Sequence, residues 1–502
     1  MKKLFSRIKK PAAEAPKTAS GVLLVSSSDV QIGDEISTGP VGTVFKALYR
    51  KAKVTAKIFN DPPEAFRKTF ESEADVVRKV FHPNIILLMG VLNEPKQCGI
   101  LMEAMRCDLN SVIYYPEKCP KVLQNLTKLA KFKILRDVAV GLAWIHGVAK
   151  IPHGNLKPTN VLFDENGTAK LSDFGFTINS QPVAHSGGYF VQGFGSSSGL
   201  YQAPELWSGR SPTTQSDIFS FGLMIIEFLT GNNGFYGDVD PTDSGEIYDA
   251  IKRNVQPIVP DDWDATLKAV VSAAVSSDPN KRPVTDEVLA QFDSIVVDST
   301  MTSVSARDFW KTYFKEGEVP LYEVGFDDMM YILSYTSLEG VDDDESEMVA
   351  ADLRKFFPEN GIITATDFDN VALWFGDFFT ERPIVDEMRD VANAEWYNGL
   401  IDKNVAEGKL SGKVDGVYLI RMSFTDAKKT PFTLTRNAKG SPKHHRIERV
   451  SYNPEDPVRF KVKVENKVYQ AQTLQDLLDK LTAAHLISTP DDGEATSNYG
   501  EA

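Results

Sequence analysis

The 502-residue chain is short of cysteine: Cys98, Cys107 and Cys119 are its only three, clustered in one region without metal-ligand spacing. So few thiols exclude a disulfide framework and suit a reducing, cytoplasmic setting. Long apolar runs are also missing. No stretch approaches the length of a membrane span, and no signal-peptide apolar region stands near the start. Lys2 after Met1 removes the N-myristoylation pattern. Positive charge is the third shortage. With 55 Lys and Arg against 69 Asp and Glu, the formal net charge is −14. That balance argues against a nucleic-acid binder on bulk electrostatics and leaves room only for local basic sites. What is present is ordinary for a globular protein, 42% hydrophobic and 25% charged residues. The length exceeds what one core can hold and suggests about three domains.

Two neighbouring stretches carry the chemistry. Ile151-Pro152-His153-Gly154-Asn155-Leu156-Lys157-Pro158-Thr159-Asn160 reads as a turn after a helix, with Lys157 and Asn160 a few residues apart. Leu171-Ser172-Asp173-Phe174-Gly175 sets an acid just after a short strand, Ala169-Lys170-Leu171. A carboxylate and an amide able to ligate a hard cation, with a lysine beside them, suit magnesium and a polyphosphate.

Upstream, the pattern from Val30 is β. Ile32 and Ile36 lead into Ser37-Thr38-Gly39-Pro40-Val41-Gly42-Thr43-Val44-Phe45, two strands joined by a glycine-rich turn. Such a turn lets backbone N–H groups approach phosphate, although an ordinary hairpin has the same signature. A third strand, Val54-Thr55-Ala56-Lys57-Ile58-Phe59, buries Lys57 among apolar neighbours, which is costly unless an anion meets it. Phe66, Phe70, Ala74 and Val77 recur at helical spacing, and Glu73 beside that face can point toward Lys57.

Together these features resemble the protein kinase family across residues 28–296. Ser37-x-Gly39-x-x-Gly42-x-Val44 is similar to the glycine loop with its first glycine replaced. Pro40 at its tip lacks an N–H for phosphate. The resemblance makes Lys57 the strand lysine and Glu73 its partner. It makes Met102 the gatekeeper, with Glu103, Ala104 and Met105 as the hinge. Asn160 and Asp173 become the magnesium ligands, with ATP as the nucleotide. Leu135, Val138, Leu142 and Ile145 form a helical stripe leading into the loop. Ala203-Pro204-Glu205 resembles the end of the activation segment, and Ser216-Asp217-Ile218 the helix that buttresses the loop. Arg282, in Asp278-Pro279-Asn280-Lys281-Arg282-Pro283, is expected to pair with Glu205. Lys157 and His82-Pro83-Asn84-Ile85 resemble the tyrosine-kinase-like serine/threonine group.

Two positions depart from the family. Asn155 replaces the Asp that accepts the substrate hydroxyl proton, and an amide cannot accept that proton at neutral pH. A general base is worth roughly 10²–10⁴ in rate. Gly154 replaces the Arg that receives an activation-segment phosphate, which leaves Ser196, Ser197, Ser198 and Tyr201 without an obvious cationic receptor. The His-Gly-Asn loop resembles those of the pseudokinase domains of Janus kinases and receptor guanylyl cyclases. The expectation is nucleotide binding with strongly reduced transfer. Two rivals stand: an active serine/threonine or dual-specificity kinase, and an adaptor that no longer binds nucleotide.

Residues 305–390 read as a helical unit with a small core from Trp310, Phe368, Trp374 and Phe375. Asp342-Asp343-Asp344-Glu345 reads as a solvated acidic loop, because no glycine stands sixth from Asp342 as an EF-hand loop requires. This unit resembles the degenerate EF-hand-like linker of Cbl-type proteins.

Residues 395–488 follow. Val417, Leu419 and Arg421 share one strand face, where an arginine is costly unless an anion completes it. Ser423 and Thr425 add hydroxyls, and His444 and Arg446 add further donors. Gly416-Val417-Tyr418-Leu419-Ile420-Arg421 resembles the strand signature of the Src-homology-2 domain. The resemblance implies that Arg421 reads phosphotyrosine, with Lys403 where many members have a helix arginine. Leu474, Leu477, Leu478 and Leu481 fit its closing helix.

Residues 1–26 form a basic tail that can touch an anionic membrane or remain a solvated arm, and 489–502 form a disordered acidic tail. The whole is a multidomain α+β protein: a bilobal kinase fold, a helical linker, and an antiparallel sheet flanked by two helices. The domain order resembles the amoebal kinases with a C-terminal Src-homology-2 domain. The implied partner is a tyrosine-phosphorylated protein.

Overall fold

The β-branched run that begins at Val30 becomes, in the computed structural model, an antiparallel sheet. Its strands are β1 (Val30–Thr38), β2 (Gly42–Tyr49), β3 (Ala52–Phe59), β4 (Leu88–Glu94) and β5 (Gln97–Glu103), in the order β1-β2-β3-β5-β4. The structure describes residues 24–491 apart from 40, 60–61, 95–96, 177–181, 185–187, 189, 193–195, 318, 423–427 and 454. The basic N-terminal segment through residue 23, Pro40, Ser423 and Thr425 therefore lie outside the described residues. Two units separate, Met1–Phe292 and Asp293–Ala502.

In the first unit, α1 (Glu64–Lys79) buries Phe66, Phe70, Ala74 and Val77, the stripe its spacing predicts. Phe59, at the end of β3, meets Phe66 and Phe70 edge-on at 5.3 and 5.6 Å. Such pairs add roughly 0.5–1.5 kcal/mol each beyond area burial and hold α1 against the strand that carries Lys57. Glycine is required at position 42, where a Cβ would stand 2.5 Å from the Ile58 carbonyl oxygen.

A helical lobe follows. α2 (Lys128–Trp144) starts where the Thr127 side chain accepts the Ala130 N–H, and it buries Leu135, Val138 and Leu142. It continues as a π-helical turn, Ile145–Ala149, closed by Lys150 at φ 55°. Wide turns of this kind re-aim side chains, and here the turn carries His146. A small antiparallel sheet comes next, β6 (Cys107–Asp108), β7 (Val161–Phe163) and β8 (Ala169–Leu171). Leu171 N–H donates to the Asn84 carbonyl at 2.9 Å, and Ile86 N–H to the Leu171 carbonyl at 2.9 Å. The His82–Ile85 turn is thereby bonded to the strand that leads into Asp173. α3 (Thr214–Thr230), opened by a reciprocal Thr213–Ser216 cap, is buried over almost its whole length. Val25 is also buried in this unit, and Leu24 bridges to Val91, so these two residues of the 1–26 segment pack on the sheet.

The second unit opens with α4 (Val304–Tyr313), α5 (Phe326–Leu333), α6 (Asp343–Leu353), α7 (Ala365–Phe375) and α8 (Arg382–Ala392). The acidic run Asp342–Asp344 is exposed but opens a helix rather than a loop: the Asp342 carboxylate accepts the Glu345 N–H at 2.8 Å and caps α6. Carboxylates are favoured there by the free N–H groups of a helix start. Among the described residues, no group of three or more His, Cys, Asp or Glu is placed to hold a metal. Five strands follow in sequential antiparallel order: β9 (Tyr418–Met422), β10 (Phe432–Ala438), β11 (Ser441–Arg449), β12 (Phe460–Val464) and β13 (Lys467–Ala471). α9 (Lys403–Leu410) supplies Ala406 and Leu410 to a cluster with Val417 and Leu419 on one face. α10 (Leu474–Ala483) buries Leu474, Leu477, Leu478 and Leu481 in the other core. That second core is continuous with the helices, as Phe375 meets Phe432 at 5.8 Å. Tyr418 bridges to Pro490 and Asp491 is buried, so the sheet layer reaches past residue 488.

Candidate functional site

The loop after α2 is held by its backbone. The Asp217 carboxylate, near the start of α3, accepts the N–H groups of His153 at 2.7 Å and Gly154 at 2.9 Å. It also takes His146 Nε2 at 2.9 Å, while His146 Nδ1 contacts Thr285 Oγ1 at 2.6 Å. The His153 ring is buried beside Phe174 at 5.9 Å, and burial pushes its pKa down to about 4. Gly154 adopts φ 73°, which only glycine takes without strain.

Asn155 follows this clamp. Its carbonyl accepts Asn160 Nδ2 at 2.6 Å, while its own side chain takes no hydrogen-bond partner among the described residues. Asp217 lines the same small cavity, about 20 Å³, yet both its oxygens are committed to the loop backbone and His146. Asn160 is buried, and its Nδ2 donation leaves Oδ1 as an acceptor suited to a cation. Ser172 N–H, directly before Asp173, donates to the Asn160 carbonyl at 2.9 Å and fixes the spacing of the two expected metal ligands.

Asp173 stands at φ 61° and Gly175 at φ 74°. A Cβ on Gly175 would approach Val77 Cγ2 to 2.8 Å, so glycine there lets the segment close against α1. Lys57 is buried on β3, and its Nζ lies 2.5 Å from Asp173 Oδ2. The expected Lys57–Glu73 pair is not formed. Glu73 instead accepts the Thr69 hydroxyl at 2.8 Å, one helical turn back. A buried ammonium needs a carboxylate in contact, and Asp173 supplies it. Lys157 is pushed below its usual pKa by burial, with the Asp173 charge opposing that shift. A hard cation and phosphate oxygens fit this donor set of a buried lysine, a half-buried one, a carboxylate and an amide oxygen.

Around this centre, Val44 pairs with Lys57 across β2 and β3. Gly39 N–H donates to the Gly42 carbonyl at 3.0 Å and closes the turn. Met102 is buried on β5 and Met105 half-buried beyond it. Glu103 accepts Leu87 N–H at 2.8 Å and Lys170 Nζ at 2.9 Å. Its side chain is thus committed to the protein, as is its N–H, which donates to the Leu87 carbonyl at 3.1 Å. Arg282 binds Glu205 as expected, through Nη1 at 2.7 Å and Nη2 at 2.8 Å. Tyr201 is buried, and its hydroxyl donates to Glu227 at 2.5 Å, as does that of Tyr114 at 2.8 Å. Glu227 has no signal in sequence that separates it from any other helical glutamate.

In the second unit, Arg421 pairs with Thr433 and Thr433 with Arg446, so the three share one face of the sheet. Leu419, Thr435 and His444 form the next row on that face. Arg421 Nη1 reaches the Ile401 carbonyl at 3.4 Å, and its Nε is buried without a partner among the described residues. Burial lowers its pKa, opposed by the nearby Asp402 carboxylate. Arg446 is exposed. Lys403 and His444 are already engaged by one carboxylate, Glu407, at 3.6 and 2.9 Å. Glu407 went unread in the sequence, although its position four residues after Lys403 was a usable signal.

The family model for a protein kinase domain matches residues 30–292, and that for an SH2 domain matches residues 396–480. The dual specificity protein kinase shkE of Dictyostelium discoideum is 30% identical over 430 residues, covering 83% of this chain and 58% of its own. The dual specificity protein kinase shkD of the same organism is 26% identical over 482 residues, covering 92% and 61%. A third, shkC, is 27% identical over 455 residues, covering 86% and 87%. The chain thus spans 58% and 61% of the first two relatives' length.

Proposed function

The chain belongs to the protein kinase family and carries an SH2 domain after the kinase domain; from that premise we propose a cytoplasmic signalling protein that binds ATP and magnesium, transfers phosphate poorly, and is recruited to phosphotyrosine. Asn160 and Asp173 would hold the cation, which would neutralise phosphate charge, and Lys57 and Lys157 would face phosphate oxygens. The observation that carries the reading is Asn155: a loop locked in place by Asp217 and Asn160, with an amide where the hydroxyl proton needs an acceptor. Asp217 is a poor substitute, since its oxygens already accept two N–H groups and contact an imidazole. Arg421, whose buried Nε has no partner among the described residues, would supply the phosphotyrosine contact.

Single-turnover transfer tests it. Mg-ATP raises the melting temperature of the native chain, transfer is slow, and Asn155→Asp accelerates it by roughly 10²-fold or more. Transfer by the native chain at ordinary kinase rates, abolished by Lys57→Met, ends the reading. The second reading is an active dual-specificity kinase. It is favoured by the names of the relatives and by a loose transition state, for which positioning can outweigh a base.

A further inference from the structure

The phosphate-binding face already holds an oxyanion of its own. Glu407, one turn along α9 from Lys403, places Oε1 at 2.9 Å from His444 Nε2 and 3.6 Å from Lys403 Nζ. The His444 Nδ1 faces Thr435 Oγ1 at 3.0 Å. One tautomer satisfies both contacts: Nε2–H donates to the carboxylate while Nδ1 accepts the threonine hydroxyl. A phosphate oxygen can replace the carboxylate oxygen at Nε2 without any change in that tautomer. Lys403 and Glu407 side chains are 63% and 39% exposed, so the carboxylate is free to swing into water when displaced.

Charge makes the exchange costly to ignore. Around the face stand Arg421, Arg446 and Lys403 as cations, and Asp402 and Glu407 as anions. A phosphotyrosine brings nearly two further negative charges. Leaving Glu407 in place sets it against the arriving dianion at the same donors.

We propose that Glu407 is an internal competitor of phosphotyrosine, occupying Lys403 and His444 in the free protein and displaced when a phosphate binds. The inference rests on Arg421 being the phosphotyrosine arginine. It gives the site a threshold. Weaker anions such as peptide carboxylates, which gain little over Glu407, are turned away, whereas a dianion that also engages Arg421 is accepted.

Free O-phosphotyrosine, titrated calorimetrically into the full chain, is the probe. Glu407→Gln is expected to bind roughly fivefold to tenfold more tightly than the native chain, the gain of an exposed ion pair released plus a like charge removed. Glu407→Asp should fall between them, and unphosphorylated tyrosine should show no gain. The gain should shrink in a His444→Ala background, as residues acting through one contact are non-additive. Native-like or weaker binding by Glu407→Gln, with Arg421→Ala still abolishing binding, overturns the inference alone. Absence of phosphotyrosine binding in the native chain and Glu407→Gln alike removes the phosphotyrosine reading, and the inference with it.

Discussion

The carboxylate of Asp217 accepts the backbone N–H of His153 at 2.7 Å across 64 residues of chain. A helix start in the second lobe thus determines where the backbone just ahead of Asn155 lies. Removing the carboxylate strands two N–H groups in a low-dielectric setting and frees His146 from its anchor. Asp217→Ala should cost about 3–5 kcal/mol of first-unit stability, as loss of one partner from a buried network does. Denaturant unfolding reads the cost, and a loss under 1 kcal/mol would mean that the loop is positioned by something else.

His153 gives the same loop a pH dependence. Its ordinary pKa is 6.5, and burial holds it near 4 in the folded protein. Below pH about 6.5 the unfolded chain takes up a proton that the folded chain refuses, so unfolding gains as pH falls. The stability lost between pH about 6.5 and about 4 approaches about 3 kcal/mol. His153→Asn should flatten that part of the profile, and an unchanged slope would show that the imidazole is solvated or paired.

Tyr201 should resist phosphorylation in the folded protein. Burial pushes its pKa up, and its hydroxyl is spent on Glu227, so a phosphate there would face a buried carboxylate. Mass spectrometry after treatment with a promiscuous tyrosine kinase should find exposed Tyr335 modified before Tyr201. Prompt modification of Tyr201 without unfolding contradicts the packing.

In the second unit, Glu387 lies against two buried arginines, Arg449 at 3.5 Å and Arg459. The Arg449 side chain also donates to the Trp374 carbonyl at 2.7 Å, tying sheet to helix. Glu387→Ala leaves two buried cations without a counter-charge and should cost about 3–5 kcal/mol. The helices and the sheet share one core, so a fragment beginning at residue 395 should melt far below residues 293–502. Equal melting temperatures would make the sheet self-sufficient.

Local pattern carried most of the architecture. The 3.6-residue stripe of Phe66, Phe70, Ala74 and Val77, the shared face of Val417 and Leu419, and the leucines of the last helix each depend on neighbours in sequence, and each is buried as spaced. The pairing of Arg282 with Glu205 was legible too, because both stand in spaced motifs. Which carboxylate meets Lys57 was not. Asp173 and Glu73 are each within reach in principle, and only the closure of the Asp173–Gly175 turn against Val77 brings one of them to 2.5 Å. Glu227 under Tyr201 and Glu387 between its arginines were equally hidden, as was the contact of Glu407 with His444, though not its i,i+4 pairing with Lys403. Sequence determines that a charge exists and roughly which face it occupies. Its partner depends on which distant backbone segments pack together, because the cost of burying a charge is met by whatever opposite charge the finished fold brings within a few ångströms.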